Sequence, residues 1–350
     1  MRRETKLCDK TGIWQTYFSL PDADVVHGYF TANCWADADH LVLMKLEDRN
    51  FSPGGSLYLT DVQTGESRFL TNQAIWPRYL VQDGFLYQVL EHEVCRTEIR
   101  TGKMERVWQG EACFQLDGPP SLTADGRYLS LYWETKEGKT SINRLDLQTG
   151  QIEEFCRISF PAPFHQANHC MLNPRNPSQM FFSHEGACDY ITNRLWMAEY
   201  DTHSARNLFR QRLDACGANG EPCGHESWAP NGKGIYFVKY TRAAVLPKGV
   251  WYVDLDTGEG RSIASRFPYW HVACSPDGRF LAADTQQPGE YSQVILIDLS
   301  DGTERVVAQV KTDWSHPCHP HPQFSPDSRR ICYTALGEDG RTCVGIAEVW

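Results

Sequence analysis

The sequence has no cluster of basic residues: its 34 Lys and Arg are spread among 44 Asp and Glu, for a net charge of −10. Without a positive face there is nothing to neutralise a phosphate backbone, so nucleic acid is excluded as a partner. No apolar stretch approaches the roughly 20 residues of a membrane-spanning helix, and no membrane association is expected. The N-terminal Met1-Arg2-Arg3-Glu4-Thr5-Lys6 has no apolar core behind it. No export signal is read there, and a cytoplasmic protein is expected. Thirteen cysteines form an odd, scattered set without CxxC spacing, which reads as buried reduced thiols rather than a disulfide framework. Cys216 and Cys223 come closest to a pair, and no disulfide is assigned to them. No long amphipathic helix and no linker rich in Gly, Pro or Ser interrupts the chain, so residues 1–350 are expected to form one domain.

What the sequence does have is a repeat. Short alternating apolar runs end in an Asp and a Gly turn: 56–61 before Thr64-Gly65, 142–147 before Thr149-Gly150, 250–254 before Thr257-Gly258, and 294–298 before Asp301-Gly302. Weaker copies fall at 97–102 and 195–204. A second turn lies earlier in each unit, as Ala124-Asp125-Gly126, Pro230-Asn231-Gly232, Pro276-Asp277-Gly278 and Pro326-Asp327-Ser328, with looser forms at 36–39 and 174–177. Each run and turn reads as strand and hairpin. The period, about 37 to 54 residues, is that of solenoids, propellers and arrays. Four strands per unit and about seven units fill the length, which predicts an all-β, seven-bladed β-propeller with four-stranded antiparallel blades. The unit around 72–108 has the weakest turn signature, and a strand near 13–20 is expected to complete the last blade. Eleven Trp, 15 Tyr and 16 Phe can fill the core.

Histidine is concentrated where the repeat is strongest. His316-Pro317-Cys318-His319-Pro320-His321-Pro322 precedes the last second-type turn. Proline favours an extended run, on which His319 and His321 share one side, with His316 closing in from the preceding loop. Neutral imidazoles so grouped suit zinc, copper, iron or nickel. Counting back six residues from Asp327, Asp277, Asn231 and Arg175 gives His321, His271, His225 and His169. Chance would place about 0.2 of a histidine over seven such positions. The strand entering this turn is the innermost of a propeller blade, so these rings point to a metal-centred site. A lone histidine there is as readily a hydrogen-bonded core residue, and His271 stays open between that role and the site.

Other polar residues interrupt apolar strand patterns. His184-Glu185 ends an apolar run, and Arg144 and Arg194 stand among apolar neighbours. Arginine is the usual fork for carboxylates, so these residues are candidates for holding an anionic substrate. The alternative is internal pairing, to Asp146 or Glu185.

Taken together, Arg144-Leu145-Asp146-Leu147, Asn168-His169, Ser183-His184-Glu185-Gly186, Asn193-Arg194-Leu195-Trp196, Gly224-His225-Glu226-Ser227-Trp228 and His319-Pro320-His321-Pro322 resemble the oligogalacturonate lyases. These are cytoplasmic seven-bladed propellers that cleave pectin fragments. The resemblance spans roughly 140–325 and implies that His225, His319 and His321 ligate a divalent metal, usually manganese. It implies a fourth ligand at a position where the family has Gln and this chain has His316. That change makes the set all-nitrogen and leaves Ni²⁺, Zn²⁺ or Fe²⁺ beside Mn²⁺ as candidates. The resemblance further implies that His169 is the catalytic base, with Arg144 its neighbour at the reacting sugar. Arg194, His184, Glu185 and His271 are then the substrate-binding candidates.

The residue types suit that chemistry. Elimination across C4–C5 of a uronate removes a weakly acidic proton α to the carboxylate. A bound cation stabilises the charge that develops, and an imidazole takes the proton. The expected partner is a small acidic oligosaccharide, and an oligomer is compatible with the sequence. Two other functions share the pattern: a related propeller lyase or isomerase acting on a different acidic sugar, and a non-catalytic propeller scaffold.

Overall fold

The computed structural model describes residues 1–49, 54–111, 115–116 and 118–349. Among the described residues every regular element is a strand, and no helix is long and apolar enough to cross a membrane. The strands form seven antiparallel sheets, the blades of a β-propeller, at 25–75, 79–109, 115–158, 167–207, 223–264, 269–311 and 323–348. The seventh blade takes in the N-terminus. Trp14–Ser19 pairs with Thr342–Glu348 at Gln15↔Ala347 through Phe18↔Val344, and Arg2–Leu7 adds a fifth, exposed strand outside it. The strand expected near 13–20 is this one.

The repeated turns owe their form to one side chain and one glycine. Asp146 Oδ1 accepts the backbone N–H groups of Gln148 and Thr149 at 2.9 and 3.3 Å, and Gly150 at φ 71° donates back to the Asp146 carbonyl at 2.7 Å. Asp254 with Gly258 repeats the arrangement, and at Asp298 with Gly302 the Ser300 N–H and hydroxyl donate to Oδ1 instead. An Asp that accepts from the residues ahead, followed by a residue at positive φ, is the chemistry such a turn requires. The second blade's signature is weak because Glu98 stands where the others have Asp, although Gly102 still donates to its carbonyl at 2.8 Å. Its first hairpin, between Tyr79–Gln82 and Phe85–Val89, turns on Asp83-Gly84, both at positive φ.

The chain clusters into two compact units. The first holds 1–88, 96–105 and 270–350, the second 89–95 and 106–269. In the first, the core between blades six and seven is Phe280, Val294, Val307, Phe324, Ile331 and Tyr333. In the second, blades four and five meet through Met171, Phe181, Leu195, Phe209, Phe237 and Trp251. Each such side chain stabilises its unit by about 1.5–3 kcal/mol through removal from water.

Candidate functional site

The inner strand of a blade is the one entering the second turn; three of these strands carry the in-register histidines His169, His225 and His271, and His321 lies just ahead of a fourth, Gln323–Phe324. Two of them bulge at that point. The pairing of Ala167–Leu172 with its neighbour slips between Asn168 and Met171, and that of Cys223–Trp228 slips between Gly224 and Ser227. His169 and His225 sit at these slips with φ of 52° and 55°, and His321 has φ 47°. A side chain in the left-handed region costs of order 1–3 kcal/mol and persists where surrounding structure or function holds it. The same local device therefore re-aims the histidine in successive blades.

In the first unit, His271, His319 and His321 form a buried group whose ligand atoms all lie within 4.8 Å of one another. His316 joins them through the turn in which Cys318 N–H donates to the Ser315 carbonyl; its ring centroid lies 4.4 Å from that of His319 and 5.6 Å from that of His321. The His-Pro segment is thus bent rather than extended throughout, yet His319 and His321 still meet at 5.3 Å. Two of the rings are oriented from behind, and the third residue is held through its backbone. His319 Nε2–H donates to the Trp314 carbonyl at 2.8 Å, and His271 Nδ1–H donates to Asp284 at 2.8 Å. The His321 carbonyl accepts from His27 Nε2–H at 2.8 Å. Tyr29, Phe30 and Trp76 wall the group, with Tyr29 and Trp76 ring centroids 5.1 and 5.7 Å from that of His321 and Phe30 5.1 Å from His271.

The fit to a cation rests on the donors themselves. His319 Nδ1 and His321 Nε2 are buried nitrogens with no hydrogen-bond partner among the described residues. Such atoms are costly unless something uses them. Burial, reinforced by the neighbouring His271, holds His321 far below the ordinary imidazole value, so it stays neutral, the form that ligates metal. Burial also pushes the Asp284 carboxyl up to about 7 despite the His271 backbone N–H it accepts. The group fits a divalent ion.

In the second unit the polar side chains form a chain of charges. His169 Nδ1–H donates to Glu226 Oε2 at 3.2 Å, and Arg194 Nε–H donates to Glu226 Oε1 at 2.8 Å. Arg194 also lies 3.5 Å from Glu185 and donates to the His184 carbonyl at 3.3 Å. Glu226 is wholly buried. Burial alone would raise its carboxyl, but the Arg194 guanidinium and then the His169 hydrogen bond outweigh it and hold it far below the carboxylate range. The same two carboxylates raise Arg194 against burial. An ionised carboxylate on Nδ1–H places the lone pair of neutral His169 on Nε2, the arrangement of a general base with its orienting partner.

Several expected residues stand elsewhere. His271, rather than the His225 that the resemblance implies, is grouped with His319 and His321. The reason is the repeat, which offers equivalent histidines one blade apart, so spacing alone does not choose between them. His225 belongs to the second unit, where its Nδ1 lies 3.2 Å from the Tyr240 hydroxyl. Arg144 is not beside His169. It pairs with Glu153 at 2.6 Å, packs its guanidinium on the rings of Tyr200 and Tyr128, and donates to the Pro177 carbonyl. Pro177 lies in the turn at the far end of the hairpin from His169. Asp146, the internal partner considered for Arg144, pairs with Arg127 instead. Arg194 is buried and pairs with Glu226 and Glu185. His184 stacks on Phe160 with ring centroids 3.8 Å apart and donates from Nε2–H to the Phe164 carbonyl. Glu185 keeps about a third of its side chain exposed.

Asp284, Glu226 and His27 were not singled out from the sequence. Asp284 had the same signal as His184-Glu185, a charge inside the apolar run Phe280–Thr285; Glu226 stood next to a chosen histidine. His27 had no signal.

Comparison with known proteins bears on this arrangement. A family model described as oligogalacturonate lyase matches residues 121–349. Oligogalacturonide lyase of Pectobacterium atrosepticum is 27% identical over 224 residues, covering 59% of this chain and 54% of the relative. Oligogalacturonate lyase of Dickeya dadantii is 26% identical over the same extent. The chain thus matches about half the length of these curated relatives. Among solved structures, an oligogalacturonate lyase in complex with manganese superposes with a TM-score of 0.85 at 22% identity, covering 99% of this chain and 96% of that one. An oligogalacturonate lyase from Vibrio parahaemolyticus gives 0.83 at 18%, covering 100% and 97%. At these identities the structural likeness establishes the fold.

Proposed function

As the chain belongs to the oligogalacturonate lyase family, we propose that it is a metal-dependent lyase that cleaves short oligogalacturonates by β-elimination to 4,5-unsaturated uronates. The observation that carries this reading is the buried group His271, His319 and His321, with His316 at its edge. These residues would hold the ion, Mn²⁺ first by family, with Zn²⁺, Ni²⁺ or Fe²⁺ suited by the imidazole donors. When bound, a divalent ion supplies Lewis acidity to the substrate carboxylate, which acidifies the proton on the adjacent carbon. His169 takes that proton at Nε2 as the C5–H bond breaks, the C4–C5 double bond forms and the C4–O4 bond breaks; the leaving oxygen is protonated by water. Glu226 keeps the imidazole in its working tautomer and stabilises the imidazolium that results. Arg194 acts through Glu226, and Arg144 has no part in the step. Glu185 and His184 are proposed to meet the sugar, the carboxylate by accepting its hydroxyls. The partner in this reading is a small acidic oligosaccharide in the cytoplasm, without nucleic acid or membrane.

A second reading of the base follows from His271, not His225, joining His319 and His321. Shifting the base by the same single blade gives His225, on Tyr240. The test is the rise in ultraviolet absorbance on digalacturonate and trigalacturonate, with metal content measured on each preparation. We expect His169→Ala to retain metal and lose turnover by about 10³-fold. Turnover in that variant with none in His225→Ala would move the base to His225. Stoichiometric metal without turnover by the unaltered protein would remove the substrate assignment.

A further inference from the structure

We infer that Asp284 is a positioning residue of the metal centre, which locks His271 and His321 at a fixed separation and balances the charge of the ion they hold. This rests on reading the histidine group as a metal centre. Asp284 lies on the second strand of blade six, wholly buried among Leu281, Ala282 and Ala283. Its carboxylate makes contacts to two ligands from two blades. Oδ1 accepts the His271 backbone N–H at 2.7 Å, and Oδ1 and Oδ2 receive His271 Nδ1–H at 3.0 and 2.8 Å. Oδ2 also accepts the His321 backbone N–H at 3.2 Å. Both oxygens therefore face the rear of the ligands, and the carboxylate is absent from the group of converging ligand atoms.

Three consequences follow from that placement. A carboxylate on Nδ1–H fixes the His271 ring and puts its lone pair on Nε2, toward the centre. The shared carboxylate couples the inner strand of blade six to the segment before blade seven, so the spacing of His271 and His321 does not depend on side-chain rotation. His27 holds the opposite side of the same peptide: its Nε2–H donates to the His321 carbonyl while Nδ1 meets Thr334 Oγ1, each at 2.8 Å. Finally, three neutral imidazoles bring no charge to a buried dication, and the Asp284 carboxylate behind His271 and His321 does.

The experiment is calorimetric titration of Mn²⁺ and Zn²⁺ into metal-stripped protein, for the unaltered chain and Asp284→Asn, with melting temperatures of both stripped forms. Asn keeps the shape and one acceptor but turns an N–H₂ toward Nδ1–H. We expect Kd to weaken by about 10- to 100-fold, with the stripped forms melting within a few degrees of each other. An Asp that serves only packing would lower the stripped melting temperature and leave Kd unchanged, which overturns the inference. Should Asp284→Asn fail to fold, nitrogen NMR of the stripped, unaltered protein with labelled histidine decides the point. The Nδ1–H tautomer at His271 supports the inference and the Nε2–H tautomer overturns it. An unaltered chain that binds neither ion would bring down the metal centre itself.

Discussion

Glu226 shows how far one side chain can set the chemistry of its neighbours. Its two oxygens divide between Arg194 and His169, so the carboxylate joins a buried cation to the proposed base. Glu226→Gln keeps the volume but not the charge. We expect kcat to fall by about 10³-fold with little change in KM, because Gln cannot stabilise an imidazolium. Turnover kinetics read this directly, and an unchanged kcat would remove His169 from the step. Acid should act on the same residue. Its folded pKa is depressed, so its contribution to stability is complete above the ordinary Glu value of about 4. That contribution is lost as pH falls from there toward the folded value. In Glu226→Gln this portion of the acid-unfolding profile should be absent. Arg144 is the contrasting case. Held by Glu153 and stacked on Tyr200 and Tyr128, it stabilises the packing of blades three and four. Arg144→Ala should cost about 3 kcal/mol in denaturant unfolding and leave kcat near its starting value.

At the scale of the element, the bulged inner strand carries both strain and function. His225 at φ 55° occupies a conformation that glycine adopts freely, so His225→Gly should be more stable than His225→Ala by about 1 kcal/mol. Equal stabilities of the two variants would mean the backbone relaxes once the imidazole is gone. These bulges also mark where the sequence stops being legible. Strands and turns could be read because Asp146, Asp254 and Asp298 make similar local bonds, and local bonds leave a local pattern. The register of histidines could be read for the same reason. Which histidine of the register joins His319 and His321 could not, since His225 and His271 are equivalent in the repeat and differ only in what the fold brings to them. Asp284 reaches His321 across 37 residues and Glu226 reaches Arg194 across 32. Contacts of that span depend on blade packing and leave no spacing to count. Arg144 was misplaced by the same limit: its 25-residue distance from His169 says nothing of which end of a blade it occupies.

At the scale of the whole molecule, charge decides how an acidic substrate arrives. The net charge is −10 with no basic patch in the sequence, so the proposed oligogalacturonate substrate would approach against a repulsive field. Attraction begins only near the centre, where the buried donors would hold a dication. Long-range repulsion is screened beyond about 10 Å at 0.1 M salt, whereas contacts in a buried site are screened far less. The balance gives a sign opposite to that of an electrostatically steered enzyme. Raising ionic strength from about 0.01 to 0.1 M should increase kcat/KM by about 2- to 3-fold, with kcat nearly constant. The increase should be larger for trigalacturonate than for digalacturonate, because each added uronate brings another negative charge into the same field. Initial rates at low substrate over a salt series measure both trends with one assay. A fall in kcat/KM with salt would mean that the local positive field of the loaded centre reaches beyond the surface and outweighs the net charge, and substrate capture would then depend on the ion even before contact.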